Sequence, residues 1–115
     1  MRKLQAHLIG IDQGKTEVFS EFETGGEMWT GSGARERRQA VVFSEPFRSA
    51  PVVQVSLSLW DIDQSANLRA DVQAENVTPS GFELVFRTWS DTRVARVHMS
   101  WTAIGEVASE DDWDL

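Results

Sequence analysis

The chain has 115 residues, a formal net charge of −7 and no cysteine. Its length suits one domain with a core of its own, and the missing cysteine excludes disulfides, Cys-ligated metals and thiol nucleophiles. Residues 1–14 lack an apolar run of signal-peptide length, and no stretch approaches the roughly 20 apolar residues of a membrane span. We therefore expect neither a recognisable leader nor membrane insertion, and the cellular compartment is left open.

The N-terminal half of the sequence predicts three strands around a glycine-rich loop. Residues 4–11 and 16–22 have strand character, and the segment "DQGK" at residues 12–15 predicts a turn between them. Residues 23–36, "ETGGEMWTGSGARE", predict a loop, and residues 39–43 predict a further short strand. No helical pattern of 12 residues occurs anywhere in the chain.

The C-terminal half alternates between apolar and polar residues with a period of two, which is the pattern of half-buried strands. We predict strands at residues 52–59, 68–77, 81–89 and 95–105, with a turn at residues 78–81 around Pro79. The inward faces are predicted to carry Val53, Val55, Leu57, Leu59, Leu68, Ala70, Val72, Ala74, Phe82, Leu84, Phe86, Val97, Met99, Trp101 and Ala103. Short alternating strands joined by turns predict an all-β fold, an antiparallel β-sandwich.

Charge is concentrated at the C-terminus. Residues 106–115 hold five acids and no base, which leaves −2 for the remainder. We therefore predict a domain over residues 1–105 and an acidic tail over residues 106–115, with Trp113 docked on the body or on a neighbouring protomer. The only basic cluster, residues 35–38, is short and interrupted by Glu36, so we do not expect nucleic-acid binding.

The loop "DIDQSANLR" (residues 61–69) spaces Asp61, Asp63, Ser65 and Asn67 like the first ligands of a calcium loop. Ala66 and Val72 then stand where such a loop needs Gly and Glu, and turn-forming residues explain the same segment. The two histidines, His7 and His98, are far apart in sequence. We predict no metal and no cofactor, and an acid–base pair of Asp61 and Asp63 is disfavoured, so no enzyme activity is predicted.

Trp89 stands at a predicted turn beside Ser90, Asp91 and Arg93. A hairpin turn needs only Gly, Asn or Asp, so a tryptophan with polar neighbours there indicates a contact surface. The alternative is that Trp89 only closes the end of the sandwich.

Residues 51–101 resemble the H-type lectin domain of snail agglutinins and of the discoidin C-terminus. The resemblance rests on features that follow one another in the same order over roughly half the chain. They are Pro51-Val52-Val53, Asp61, Gln64-Ser65, Asn67-Leu68-Arg69, Val77, Pro79, Gly81-Phe82, Thr88-Trp89, Thr92 and Ser100-Trp101, with Arg35-Glu36 and Phe43 upstream.

This resemblance implies a six-stranded antiparallel β-sandwich that forms a homotrimer and binds N-acetylgalactosamine-type glycans between neighbouring protomers. Exposed residues on the last strand are then candidates for contact with a second sheet edge or another protomer. They are Val94, Arg96 and His98.

The resemblance also implies the sugar-contacting residues. The candidate carbohydrate-binding residues are Arg69, Trp89, Ser90, Asp91, Gly31 and Ser32, the last two closing the site from the next chain. Ser90 stands where the snail proteins have His, Ala95 where the family has Tyr, and Ser32 where the family has an Asp. Asp91 could supply the missing carboxylate, and Trp29 or Trp60 could supply aromatic surface.

We therefore predict a non-enzymatic carbohydrate-binding module, multivalent through homotrimerisation. The departures at positions 32 and 95 favour the lectin class over a simple galactose or N-acetylgalactosamine preference. The alternative is a trimeric structural or adhesion protein whose sugar site is vestigial, with Arg69 paired only to Asp61 or Asp91.

Overall fold

A computed structural model describes residues 1–5 and 7–109. Its elements in chain order are β1 (Ile9–Ser20), α1 (Glu27–Thr30), β2 (Arg35–Val42), β3 (Val52–Ile62), β4 (Asp71–Glu75), β5 (Gly81–Thr88) and β6 (Val94–Glu106). The strands form two three-stranded antiparallel sheets, in the orders β1-β6-β3 and β2-β5-β4. The predicted six-stranded antiparallel β-sandwich is confirmed.

The core lies between the two sheets, and its centre comes from the two central strands, β5 and β6. Every side chain that the alternation assigned to the inner face of residues 81–103 is buried: Phe82, Leu84, Phe86, Val97, Met99, Trp101 and Ala103. Four aromatic rings close one end of the sandwich, with centroids 5.0 to 5.8 Å apart: Phe43, Phe47, Phe82 and Trp101.

The prediction of two N-terminal strands joined by a turn at residues 12–15 was wrong. β1 runs unbroken for 12 residues from Ile9 to Ser20. Gly14 lies opposite Trp101 in the ladder, and a Cβ there would lie 2.9 Å from the indole ring. The glycine therefore admits the Trp101 ring beneath β1 and does not reverse the chain, since glycine inside a strand often marks a close approach.

The inward orientation of residues 68 and 70 was also wrong. β4 begins only at Asp71, so Leu68 and Ala70 belong to the preceding loop and are exposed or only partly buried, Leu68 being exposed by 60%. Val72 and Ala74, which do lie on β4, pack against the core as predicted.

Val94 is buried in the core and does not lie on the outer face with Arg96 and His98. The register of β3 and β6 shifts so that Asp61 faces Arg96 while the next residue, Ile62, faces Val94. A bulge places two consecutive positions against one and turns the following side chains to the other face. Val94 and Val97 therefore both point inward.

The outer face of the β2-β5-β4 sheet carries a network of ion pairs. Arg38 contacts Glu36, Glu75 and Glu83, and Arg87 contacts Glu36 and Glu75, with N–O distances of 2.7 to 3.5 Å. Hydrogen bonds from Arg38 and Arg87 lower the pKa values of Glu36 and Glu75. The network neutralises this face without a partner.

The boundary of the acidic tail falls inside the folded body at its first residues. β6 continues to Glu106, and Val107 is buried and donates its backbone N–H to Leu8 O at 3.1 Å. Residues 110–115, including Trp113, lie outside the described residues. In the described part of the chain, no helix is long and apolar enough to cross a membrane.

Candidate functional site

Trp89 follows the last residue of β5, the central strand of its sheet. The start of β2 lies on one side of that strand end, where Arg35 pairs with Thr88, and the start of β4 lies on the other, where Asp71 pairs with Arg87. The indole is 45% exposed. It forms part of a groove of about 290 Å³ that is lined by Ala34, Arg35, Glu36, Asp71, Arg87, Thr88 and Trp89.

Arg69 is held beside this strand end by main-chain and side-chain bonds. The Thr88 hydroxyl donates to Arg69 O at 2.6 Å, so the residues that precede β4 continue along β5 toward Trp89. The Arg69 Nη1 donates to Asp91 Oδ1 at 2.6 Å and to Thr92 Oγ1 at 3.1 Å. The ends of β4 and β5 are therefore adjacent, and Arg69 lies within the turn that follows Trp89.

Asp91 is the partner of Arg69, which is the pairing that the structural alternative named. The Asp91 side chain is nevertheless 71% exposed, whereas that of Arg69 is 22% exposed. One carboxylate oxygen accepts the short bond from Arg69, and a carboxylate offers about four acceptor positions. Asp91 therefore keeps acceptor capacity that faces solvent.

Ser90 occupies the left-handed backbone region, with φ of 60°, and its side chain is exposed. Non-glycine residues with positive φ are uncommon and are held in place by their surroundings. Here the Gly33 N–H donates to Ser90 O at 2.9 Å. The loop at residues 31–33 is thus a neighbour of the Trp89 turn within one chain.

Gly31 has a structural role at the end of α1. Its N–H donates to Glu27 O at 2.7 Å, and a Cβ at this position would lie 2.6 Å from the same oxygen. Ser32 follows as an exposed residue. Whether Gly31 and Ser32 close the site from a next chain stays a prediction.

Ala95 lies elsewhere. It lines a separate cleft with Phe22, Trp29 and Asp61, and it does not belong to the residues that line the Trp89 groove.

Sequence reasoning did not recognise the importance of Arg35, which fixes the geometry of the site. Its side chain is only 4% exposed and donates four hydrogen bonds, all to main-chain carbonyls. The acceptors are Gly33 O at 2.9 Å, Met28 O at 3.1 Å, Ser90 O at 3.2 Å and Thr92 O at 2.7 Å. One guanidinium therefore joins α1, the loop at residues 31–33 and the Trp89 turn. The sequence placed Arg35 in a short basic cluster, and its only other signal was its position in the family resemblance.

The calcium-like loop is held together by local bonds. Asp61 accepts hydrogen bonds from Arg96, and Asp63 Oδ1 accepts the Ser65 N–H at 3.0 Å. This backbone bond, which is the largest effect, lowers the pKa of Asp63. Among the described residues, no group of three or more acidic, His or Cys side chains could hold a metal ion.

Comparison with known proteins gives three kinds of similarity. The model of the H-type lectin domain family matches residues 38–104. A protein of Fuscovulum blasticum described as ATP synthase subunits region ORF 7 is 52% identical over 107 residues, which are 93% of each chain. Discoidin-1 of Dictyostelium discoideum is 31% identical over 81% of this chain and 38% of its own length.

Among solved structures, recombinant discoidin II of Dictyostelium discoideum superposes with a TM-score of 0.76 and 22% sequence identity. The match covers 91% of this chain and 40% of that one. The chain therefore spans about two fifths of the discoidins that it matches, and nearly all of the Fuscovulum protein.

The fold and the family match define a β-sandwich domain of the non-enzymatic, carbohydrate-binding class. The chain belongs to the H-type lectin domain family.

Proposed function

We propose that this protein binds glycans at the Trp89 turn, through Arg69, Trp89, Ser90 and Asp91, with Gly31 and Ser32 at the rim. The observation that carries the proposal is the half-exposed indole beside a fixed arginine–carboxylate pair. A pyranose ring has one face of C–H groups, which an indole shields from water, while hydroxyls at its edge need donors and acceptors. Arg69 supplies donors that stay charged at any working pH, and Asp91 supplies the acceptors.

Replacing Trp89 with alanine should lower glycan affinity by about tenfold or more, because the apolar wall of the site is lost. The fold should be kept, since Trp89 lies at a strand end and is half exposed. A glycan array followed by calorimetry on the best ligand measures the affinity. Trp60→Ala is the matched control, because Trp60 is similarly exposed on β3 and lines no part of the groove. If Trp89→Ala lost stability together with binding, the indole would be a structural cap.

Simple N-acetylgalactosamine should bind weakly, with a dissociation constant on the order of 1 mM or above, which is about −4 kcal/mol. Ser32 cannot accept hydrogen bonds from two adjacent hydroxyls as a carboxylate does, and Ala95 brings no aromatic ring. Calorimetric titration of the free sugar tests this. Tight, stoichiometric binding would show that both departures are silent and that Asp91 serves as the acceptor.

We also propose that the protein is a homotrimer that presents several weak sites together, since multivalency raises the effective strength of shallow sites. A row of apolar side chains supports an interface on the outer face of the β1-β6-β3 sheet. Ile11 pairs with Ile104, and Ile104 with Val52, and all three are exposed. The next row toward the middle of the sheet is uncharged: Gln13, Thr102 and Gln54.

Light scattering after size exclusion should therefore give about three times the 12.9 kDa of one chain. Ile11→Lys should shift the mass toward the monomer, because it places a charge in the apolar row. Val42→Lys should not, because Val42 is exposed on the other sheet. A monomer at micromolar concentration for the unaltered chain would contradict the proposal.

A second candidate function is a trimeric structural or adhesion protein with a vestigial sugar site. The bonds from Arg69 to Asp91 and Thr92 favour it, because they occupy donors that a sugar would need. A glycan array that stays blank while the trimer persists would select this alternative.

A further inference from the structure

A second aromatic cleft lies apart from the Trp89 groove. It has a volume of about 300 Å³ and is lined by Phe22, Trp29, Asp61, Ile62, Asp63 and Ala95. It continues into a groove of about 270 Å³ that shares Phe22, Asp61 and Ala95 with it. Asp61 faces Arg96 on β6, several residues along that strand from the apolar row at Ile104. An interface at that row therefore leaves the far end of the sheet accessible.

The cleft presents an aromatic surface that the fold does not bury. Phe22 is 57% exposed and packs against Trp29 at a steep angle, with ring centroids 5.0 Å apart. The guanidinium of Arg93 lies 4.3 Å from the centroid of the Trp29 ring, and Arg93 Nε donates to Trp29 O at 2.8 Å. Such cation–π contacts are favourable even at exposed sites. The Phe22 ring keeps an open surface on a fixed support.

The residues around Phe22 are held rigidly. Glu21 N–H donates to Ala95 O at 2.8 Å, and Gly26 N–H donates to Glu21 O at 3.0 Å. The Glu21 carboxylate receives two bonds from Arg37, at 2.7 and 3.0 Å. A Cβ at Gly26 would lie within 2.2 to 2.7 Å of the Glu21 side chain, so only glycine leaves that space. Rigid support of this kind is what a preformed binding surface needs.

The polar side of the cleft offers acceptors whose charges are already compensated. Asp61 is bound by Arg96 at 2.8 Å, and Asp63 lies 3.6 Å from Arg93. Each carboxylate keeps free acceptor positions for hydroxyl groups. An anionic ligand would have to compete with Asp61 and Asp63 for the same two guanidiniums, so the chemistry favours a neutral ligand.

We infer that this cleft is a second glycan subsite, which takes a neutral pyranose ring against Phe22 and Trp29 with its hydroxyls on Asp61 and Asp63. The inference rests on the proposed lectin function, and it assigns that function a second point of contact on the same chain. An aromatic surface beside hydroxyl acceptors is the combination that recognises a sugar, and the Trp89 groove has the same combination on different strands.

The test is a titration followed by the indole N–H resonances of Trp29 and Trp89 in the full chain. The ligands are methyl glycosides of galactose, glucose, mannose and N-acetylgalactosamine, with sialic acid as the anionic comparison. In the Trp89→Ala variant, a neutral glycoside should still shift the Trp29 resonance. Adding Phe22→Ala should weaken that response by about tenfold, whereas adding Trp60→Ala should leave it unchanged. Thermal melting of each variant confirms that it is folded.

The outcomes separate the two proposals. A shift at Trp89 alone in the unaltered chain would overturn the second subsite and leave the proposed function standing. A Trp29 response that survives Phe22→Ala, or that is stronger for sialic acid, would also overturn the subsite. If neither resonance responded and the glycan array stayed blank, the proposed function and the subsite would both be overturned.

Discussion

Replacing Arg35 with alanine should lower the free energy of unfolding by about 3 kcal/mol or more and remove glycan binding. Two of the four carbonyl acceptors, Met28 O and Thr92 O, form buried bonds with it. Hydrogen bonds to charged groups contribute about 1.5–3 kcal/mol each, and buried acceptors left without a partner are costly. The same change frees the Trp89 turn from α1, so the sugar-binding residues would lose their common geometry. Chemical denaturation and a glycan array measure the two effects.

Arg38→Ala is the matched control for Arg35, because Arg38 lies three residues further along β2 and its ion pairs are at the surface. Exposed pairs contribute about 0–1 kcal/mol, so this variant should remain close to the unaltered chain and bind normally. Arg35→Lys should fall between the two, since lysine keeps the charge but lacks the planar fork of donors. Equal stability of the Arg35→Ala and Arg38→Ala variants would contradict the role given to Arg35.

Trp101→Ala should cost about 3–5 kcal/mol, the usual range for a large aromatic side chain removed from a core. The Trp101 ring contacts Phe43 and Phe82 and fills the space that Gly14 leaves on β1. Removing it would leave a cavity between three strands. Denaturant unfolding with an unchanged slope would measure the loss.

Trp60→Ala serves as the comparison for Trp101, because it removes the same side chain from an exposed position of β3. Surface substitutions of this kind usually stay within about 0.5 kcal/mol. A loss below about 1 kcal/mol for Trp101→Ala would place the indole outside the core, and it would shift the strand register by one residue.

The part of the fold that depends on simple alternation could be predicted from the sequence. On β5 and β6 the apolar residues recur at every second position, so the inner faces of Phe82, Met99 and Trp101 follow directly from the period of two. The prediction failed where alternation is broken by contacts distant in sequence. Gly14 resembles a turn residue until Trp101 is placed beneath it, and Val94 points inward only because β3 and β6 shift register.

The candidate site could be predicted only in part, for a similar reason. The resemblance brought Arg69, Trp89 and Asp91 together, and the strand register places them at one sheet end. Arg35 could not be recognised, because its acceptors are main-chain carbonyls from three separate segments, and such acceptors have no signature in the side-chain sequence. The second cleft likewise joins residues near positions 22, 29 and 61, which only the fold brings together.

The bonding of Arg35 has a practical consequence for changing what the protein recognises. Its guanidinium holds the surrounding loops entirely through carbonyl oxygens, which every amino acid possesses. The side chains at positions 32, 90 and 91 can therefore be randomised while the backbone that displays them stays anchored. A combinatorial library at these three positions, with Arg35 and Gly31 kept constant, would yield folded variants with altered sugar preference. The scaffold thus separates the residues that maintain shape from those that select the ligand.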